Sequence, residues 1–184
     1  MGQVSDAIDD RTAAFVAAQR VFFVATAPLA ADGHVNLSPK GLDTFAVLDP
    51  HTVAYLDLTG SGVETIAHLR ENGRITICFA AFEGPPKIVR LYGRGAVLTA
   101  SDPDFEALAA RFPRYLGARS VIRVAVDRVA DSCGYAVPEY AFVREREQLV
   151  QWAERKGRDG VRAYQEERNS ASIDGLPGLP GCRS

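Results

Sequence analysis

The strongest constraint on this chain is a change of hydrophobic period near residue 21. Upstream, Ser5 can cap a helix running to about Gln19, with Asp9 and Asp10 in early turns where carboxylates complement the helix dipole. Downstream, Val21-Phe22-Phe23-Val24-Ala25-Thr26-Ala27 is short, β-branched and aromatic, and reads as a buried strand. Ala31-Asp32-Gly33-His34 is a hairpin turn, and the return strand Val35–Ser38 stops at Pro39. A further strand, Val53–Leu58, follows Asp49-Pro50. Ser61-Gly62-Val63-Glu64 has the spacing of a capping box and opens a helix that stops at Asn72-Gly73. Then come strands at Arg74–Phe82 and Lys87–Thr99, a short helix from about Pro103 to Arg111, and a last strand at Val121–Asp127. Short strands joined by turns around one inserted helix imply an antiparallel sheet or small closed barrel, mainly β with peripheral helices. A parallel α/β sheet would need a helix after nearly every strand. Gly93 and Gly95, two apart in the long strand, suit a sheet that bends or closes.

The chain has 184 residues, enough to bury a core without disulfide or metal staples. The sheet accounts for residues 1–130. Residues 131–168 form a loop and helices packing on it; interspersed opposite charges there mark a solvated helical region. Leu149, Trp152 and Ala153 fall at helical spacing to dock on the barrel. Trp152 is expected to pack there or at a subunit interface, and Gly157 and Gly160 divide the region into two helices. Residues 169–184, rich in Gly and Pro, read as a flexible tail.

A net charge of −2 argues against a general nucleic-acid binder but leaves room for a local basic pocket. No targeting signal or membrane span is expected. Cys78, Cys133 and Cys182 are dispersed and odd in number, as free thiols in a reducing cytoplasm would be. His34, His51 and His68 are equally scattered, so no metal site is expected. Cys133 has no histidine or basic neighbour in sequence to activate it as a nucleophile.

Three segments could carry chemistry. In Asn36-Leu37-Ser38-Pro39-Lys40-Gly41, strand alternation puts Asn36, Ser38 and Lys40 on one face and points Leu37 to the core. An amide, a hydroxyl and an ammonium in a row suit an anionic or heteroaromatic ligand; a polar strand end leading into a turn has the same pattern. In Thr59-Gly60-Ser61-Gly62-Val63-Glu64-Thr65, glycines before a helix start can cradle phosphate. The Ser61/Glu64 cap competes for the same amides, and the residues alone favour the cap. In Arg90-Leu91-Tyr92-Gly93-Arg94, two guanidiniums flank a phenol on one face, as phosphate recognition or an exposed barrel face would have it.

Taken in order, these segments resemble the pyridoxamine 5'-phosphate oxidase-like flavin-binding split β-barrels, from about Phe15 to Val129. The specific stretches are Asn36-Leu37-Ser38-Pro39-Lys40-Gly41, Glu71-Asn72-Gly73-Arg74 and Ile88-Val89-Arg90-Leu91-Tyr92-Gly93-Arg94-Gly95. The resemblance implies a homodimer of antiparallel split β-barrels with FMN in clefts between subunits, acting as an oxidoreductase that moves hydride to or from a small organic substrate. It also implies cofactor-binding roles for Ser38, Lys40, Ser61 and Thr65, for Arg90 beside the cleft, and for Asn36 at the flavin ring edge. The founding enzyme's Arg-Lys pair at the inserted helix falls here on Glu64-Thr65, and its C-terminal substrate signature is absent. Conversion of pyridoxamine phosphate is therefore not expected. The departure keeps open a split barrel for deazaflavin or haem, or a non-catalytic flavin-binding module.

Overall fold

The computed structural model describes residues 2–179. Its elements are β1 (Val4–Ser5), α1 (Asp10–Ala17), β2 (Phe22–Thr26), β3 (Asn36–Lys40), β4 (Phe45–Asp49), β5 (Thr52–Leu58), α2 (Glu64–Asn72), β6 (Arg74–Ala80), β7 (Ile88–Leu98), α3 (Phe105–Ala109), β8 (Ala118–Ser132) and α4 (Gln148–Arg168). Every strand pairing is antiparallel, in the order β3-β2-β6-β7-β8-β5-β4, with β1 added to β8. The two ends of that path, β3 and β4, are consecutive in the chain and joined only by residues 41–44. So short a link brings the two edges together, and the sheet curls into a barrel. Aromatic rings from opposite ends of the path meet inside it. Phe45 of β4 lies 5.1 Å from Phe22 of β2 and 4.9 Å from Phe79 of β6, centroid to centroid. The mainly β architecture with peripheral helices is the one the strand pattern implied.

Two glycines of β7 shape the barrel wall. A Cβ on Gly93, at the bulge opposite β8, would stand 2.0 Å from the Ala125 carbonyl oxygen. On Gly95 it would meet the Leu69 side chain at 2.9 Å, so the missing side chain lets α2 settle on the sheet. There Ile66 is fully buried and Leu69 nearly so. Gly73 ends α2 in the left-handed conformation at φ 71°, which a glycine adopts without steric cost.

Several local expectations give way. Asp9, not Ser5, caps α1, accepting from the Thr12 amide at 2.7 Å, while Val4–Ser5 pair with β8. β3 runs through Pro39 to Lys40, because it is an edge strand and an absent N–H there leaves no ladder bond unmade. β4, which the sequence pattern did not reveal, has every residue only partly buried or exposed. Leu37 does not face the core. It is 65% exposed on the outer side of β3, and the polar set Asn36, Ser38 and Lys40 faces inward.

In the C-terminal region α4 breaks at Gly157, where φ is 66°, one of the two glycines expected to divide it into two helices. Ala153 is buried against the barrel near Gly117, whereas Trp152 packs edge-on against Tyr164 across the break at 5.0 Å. The segment read as a flexible tail is tied down as far as residue 179. The Gly178 amide donates to Ser170 O and the Leu179 amide to Asn169 O, both at 2.8 Å, and Ala171 bridges to Pro177. The physical cause is side-chain anchoring, which composition cannot show: Asn169 is fully buried, and Arg70 donates to the Gly178 carbonyl. Residues 180–184, with Cys182, lie outside the described residues.

Candidate functional site

The inward face of β3 meets the first turn of α2. Asn36 Nδ2 donates to Thr26 Oγ1 at 3.1 Å and to Thr65 Oγ1 at 3.0 Å, and Ser38 Oγ donates to Asn36 Oδ1 at 2.9 Å. Thr26 Oγ1 also lies 3.0 Å from His68 Nδ1. His68 is fully buried, and loss of water lowers its pKa, so the ring is held neutral. Tyr55 OH and His68 Nε2, both buried, have no partner among the described residues. Burial, and then the charge of Asp57, raise the Tyr55 pKa well above its ordinary value. Three of the residues singled out in the sequence, Asn36, Ser38 and Thr65, thus form one hydrogen-bonded row.

Beside this row lies a charged cluster. Asp57 is fully buried and divides its oxygens between two cations: Lys40 Nζ at 2.9 Å from Oδ1 and Arg119 Nε at 2.7 Å from Oδ2. Burial alone would raise the Asp57 pKa, but the two cations override it and hold it at about 2. Arg119 is fixed further, its NH1 donating to Gly62 O at 2.9 Å and to Asn169 Oδ1 at 2.8 Å. The cluster carries one net positive charge. Lys40 is its outward member, with a side chain 20% exposed against 4% for Arg119.

Lys40 opens onto a groove of about 1060 Å³. One wall is Pro39–Leu42 with Thr59 and Gly60; the other is the end of α1 near Arg20 and the extended segment around Phe142. That segment is pinned to the turn before β7. The Tyr140 amide donates to Phe82 O at 2.8 Å, and the Phe142 amide to Glu83 Oε1 at 3.0 Å. Arg20 lies over the Phe142 ring at 4.9 Å. Apolar side chains (Leu42, Leu56, Leu58) beside a fixed ammonium fit a planar ligand with an anionic end, in a volume suited to a cofactor.

The family model for pyridoxamine 5'-phosphate oxidase matches residues 8–133. A pyridoxamine 5'-phosphate oxidase family protein, ustO of Aspergillus flavus, is 40% identical over 95% of this chain and 76% of its own length. The chain belongs to the pyridoxamine 5'-phosphate oxidase family. Among solved structures, HupZ of Group A Streptococcus superposes with a TM-score of 0.51 at 22% identity, covering 73% of this chain and 99% of that one. A Lactobacillus delbrueckii protein of the pyridoxamine 5'-phosphate oxidase type gives 0.52 at 19% identity, over 68% and 94% of the two chains. These likenesses concern the fold.

Within this family member the other two sequence candidates stand apart from the row. Ser61 is exposed, and the capping box does not form: α2 starts at Glu64 with Val63 as N-cap and no side-chain cap bond. The Glu64 carboxylate instead accepts from the Ile173 amide at 3.3 Å, and Arg119 and Asn169 grip the carbonyls of Gly62 and Gly60. Arg90 does not line the groove. It donates to Ser132 Oγ at 3.3 Å, beside a second cavity of about 640 Å³ that Phe15, Lys87 and Cys133 also line. Asp57, Arg119 and Asn169 carry no motif. The one signal for Asp57 was a carboxylate inside the apolar run Val53–Leu58, a position that demands a buried cation.

Proposed function

We propose that this chain is an FMN-binding oxidoreductase of its family, active as a homodimer, with the flavin phosphate directed to Lys40 and the ring system lying in the groove. The observation that carries the reading is the buried Asp57, which holds Lys40 at the groove while Arg119 keeps the cluster net positive. Ser38, two residues before Lys40 on the same strand face, does not line the groove; with Asn36 and Thr65 it forms the hydrogen-bonded row that backs the Lys40 end of the site. Bound flavin would supply the hydride chemistry. The chain's own part is to bind it, orient it and exclude water with the apolar wall. The substrate is a small organic molecule, and no side chain is assigned to proton transfer.

Haem is the weaker occupant. Among the described residues lining the groove there is no histidine, cysteine or methionine, and Tyr140 is the one side chain of a customary axial type. The dimer reading draws on the outer side of the β2–β3 hairpin, where Val35 and Leu37 are 74% and 65% exposed. The deciding experiment is purification followed by titration with FMN, riboflavin, the deazaflavin cofactor and haem. A yellow protein that releases FMN on denaturation, and binds FMN more tightly than the other three, is the expected result. A colourless protein that takes up haem or deazaflavin but not FMN overturns the assignment. Binding without turnover of any reductant leaves the non-catalytic flavin module as the correct reading.

A further inference from the structure

The family match ends at residue 133, and the two solved structures cover 68% and 73% of the chain. Yet Asn169, far beyond that end, borders the charged cluster through Arg119. It is fully buried where α4 passes into the segment 169–179. Its Oδ1 accepts from Arg119 at 2.8 Å, its Nδ2 donates to Gly60 O at 3.0 Å, and its own amide donates to Gln165 O at 2.8 Å. Its carbonyl accepts from the Leu179 amide at 2.8 Å. Gln165, one helical turn earlier, donates to Thr59 Oγ1 at 2.7 Å. These bonds fix Asn169 without any ligand, and they fix Thr59 and Gly60, which line the groove.

Asp57 is shared between two cations, so each feels only part of its charge. Without Arg119 at Oδ2, the whole carboxylate charge falls on Lys40, and the cluster at the groove becomes neutral. Arg119 stays where it is because Asp57, Gly62 O and Asn169 Oδ1 surround it with acceptors. We propose that Asn169 is a positioning residue for the groove: through Arg119 and Asp57 it keeps the Lys40 charge available to an anionic ligand, which makes the segment 169–179 a support behind the site, outside the groove lining itself. The proposal rests on the reading of the groove as an FMN site, and it names the part of the chain that tunes affinity there. The relative from Aspergillus flavus aligns over 95% of this chain, so the alignment spans the whole of α4 and Asn169.

The test compares Asn169→Ala, Lys40→Ala and the double variant, with dissociation constants for FMN and for riboflavin, which lacks the phosphate. Loss of one charge-assisted interaction corresponds to about a tenfold weakening or more. Asn169→Ala is expected to weaken FMN by that factor and riboflavin clearly less, since release of the Gly60 carbonyl touches both ligands whereas the Lys40 charge acts on the phosphate alone. Beyond Lys40→Ala alone, the double variant is expected to lose only that shared part. Equal losses for FMN and riboflavin, or additive effects in the double variant, overturn the proposal, because a segment that merely holds the fold acts that way. Should Asn169→Ala not fold, Asn169→Asp is the second variant: it keeps the acceptor for Arg119 but cancels its charge, and the same FMN-specific loss is expected. If the wild-type protein binds neither flavin, the FMN reading fails, and the role of Asn169 is read in the ligand-free protein. There Asn169→Ala is expected to slow acetylation of Lys40, followed by peptide mass spectrometry, because an ammonium facing the whole Asp57 carboxylate leaves its ion pair less often to react. An unchanged or faster rate in a folded variant overturns it.

Discussion

At the scale of single residues, Asp57 decides most. Its carboxylate is fully buried and titrates at about 2, below the ordinary 3.8, so the folded protein holds it ionised more strongly than the unfolded chain does. Its contribution to stability, about 2 kcal/mol at 1.36 kcal/mol per pKa unit, is therefore complete above pH ~4 and is lost as pH falls toward 2. Urea unfolding of the wild type between pH 5 and 2 should show that loss, and Asp57→Asn should flatten it. At neutral pH the same substitution leaves Lys40 and Arg119 facing an uncharged amide. The expected cost is about 3–5 kcal/mol, the range for breaking a buried pair, measurable as a shift of the urea midpoint. The side chains that could be read from the sequence were those in runs with a local period: Asn36, Ser38 and Lys40 do share a face, as strand alternation required. Arg119 and Asn169 could not be read, because their partners lie 50 to 109 positions away and nothing local marks such bonds.

At the scale of elements, most strands were legible because β-branched runs and turn residues fix them locally. The departures came where an element's partner is distant. Ser61 and Glu64 have capping-box spacing, yet Glu64 is drawn to the Ile173 amide and the loop before it to Arg119 and Asn169. Leu37 alternates correctly but faces outward, since the barrel interior on that side is polar. β7 offers a direct test: Gly93→Ala places a Cβ against the Ala125 carbonyl, and overpacking of this kind should cost about 1–3 kcal/mol in chemical denaturation. The segment 169–179 offers another. Asp174 bonds His34 through both the ring Nδ1 and the main-chain amide, at 2.6 and 2.8 Å, which raises the His34 pKa and lowers that of Asp174. Asp32 adds to the rise at His34. A raised histidine pKa stabilises below about 6.5 and fades as pH climbs through the folded value; a lowered carboxylate pKa stabilises above about 3.8 and fades in acid. Amide exchange around Gly175, corrected for intrinsic rates, should thus be slowest between those limits and quicken on the alkaline side.

At the scale of the whole molecule, the barrel gathers the Lys40–Asp57–Arg119 cluster from strands near both ends of the sheet path and adds a support from beyond the family match. No helix among the described residues is long and apolar enough to cross a membrane. Among the described residues Cys78 and Cys133 form no disulfide. The proposed homodimer is tested by light scattering on Leu37→Glu. A charge on the outer face of β3 is expected to yield a monomer that binds FMN at least tenfold more weakly, in proportion to the interface lost. The bonds from Asn169 to Gly60 and from Arg70 to Gly178 also set an order of events during synthesis. Gly60 emerges from the ribosome more than a hundred residues before Asn169, so the β-rich part of the nascent chain is made while its cationic corner still lacks its keystone. If the groove holds the proposed cofactor, a growing polypeptide should capture it poorly until that asparagine has cleared the exit tunnel, which would make loading a late step of biogenesis.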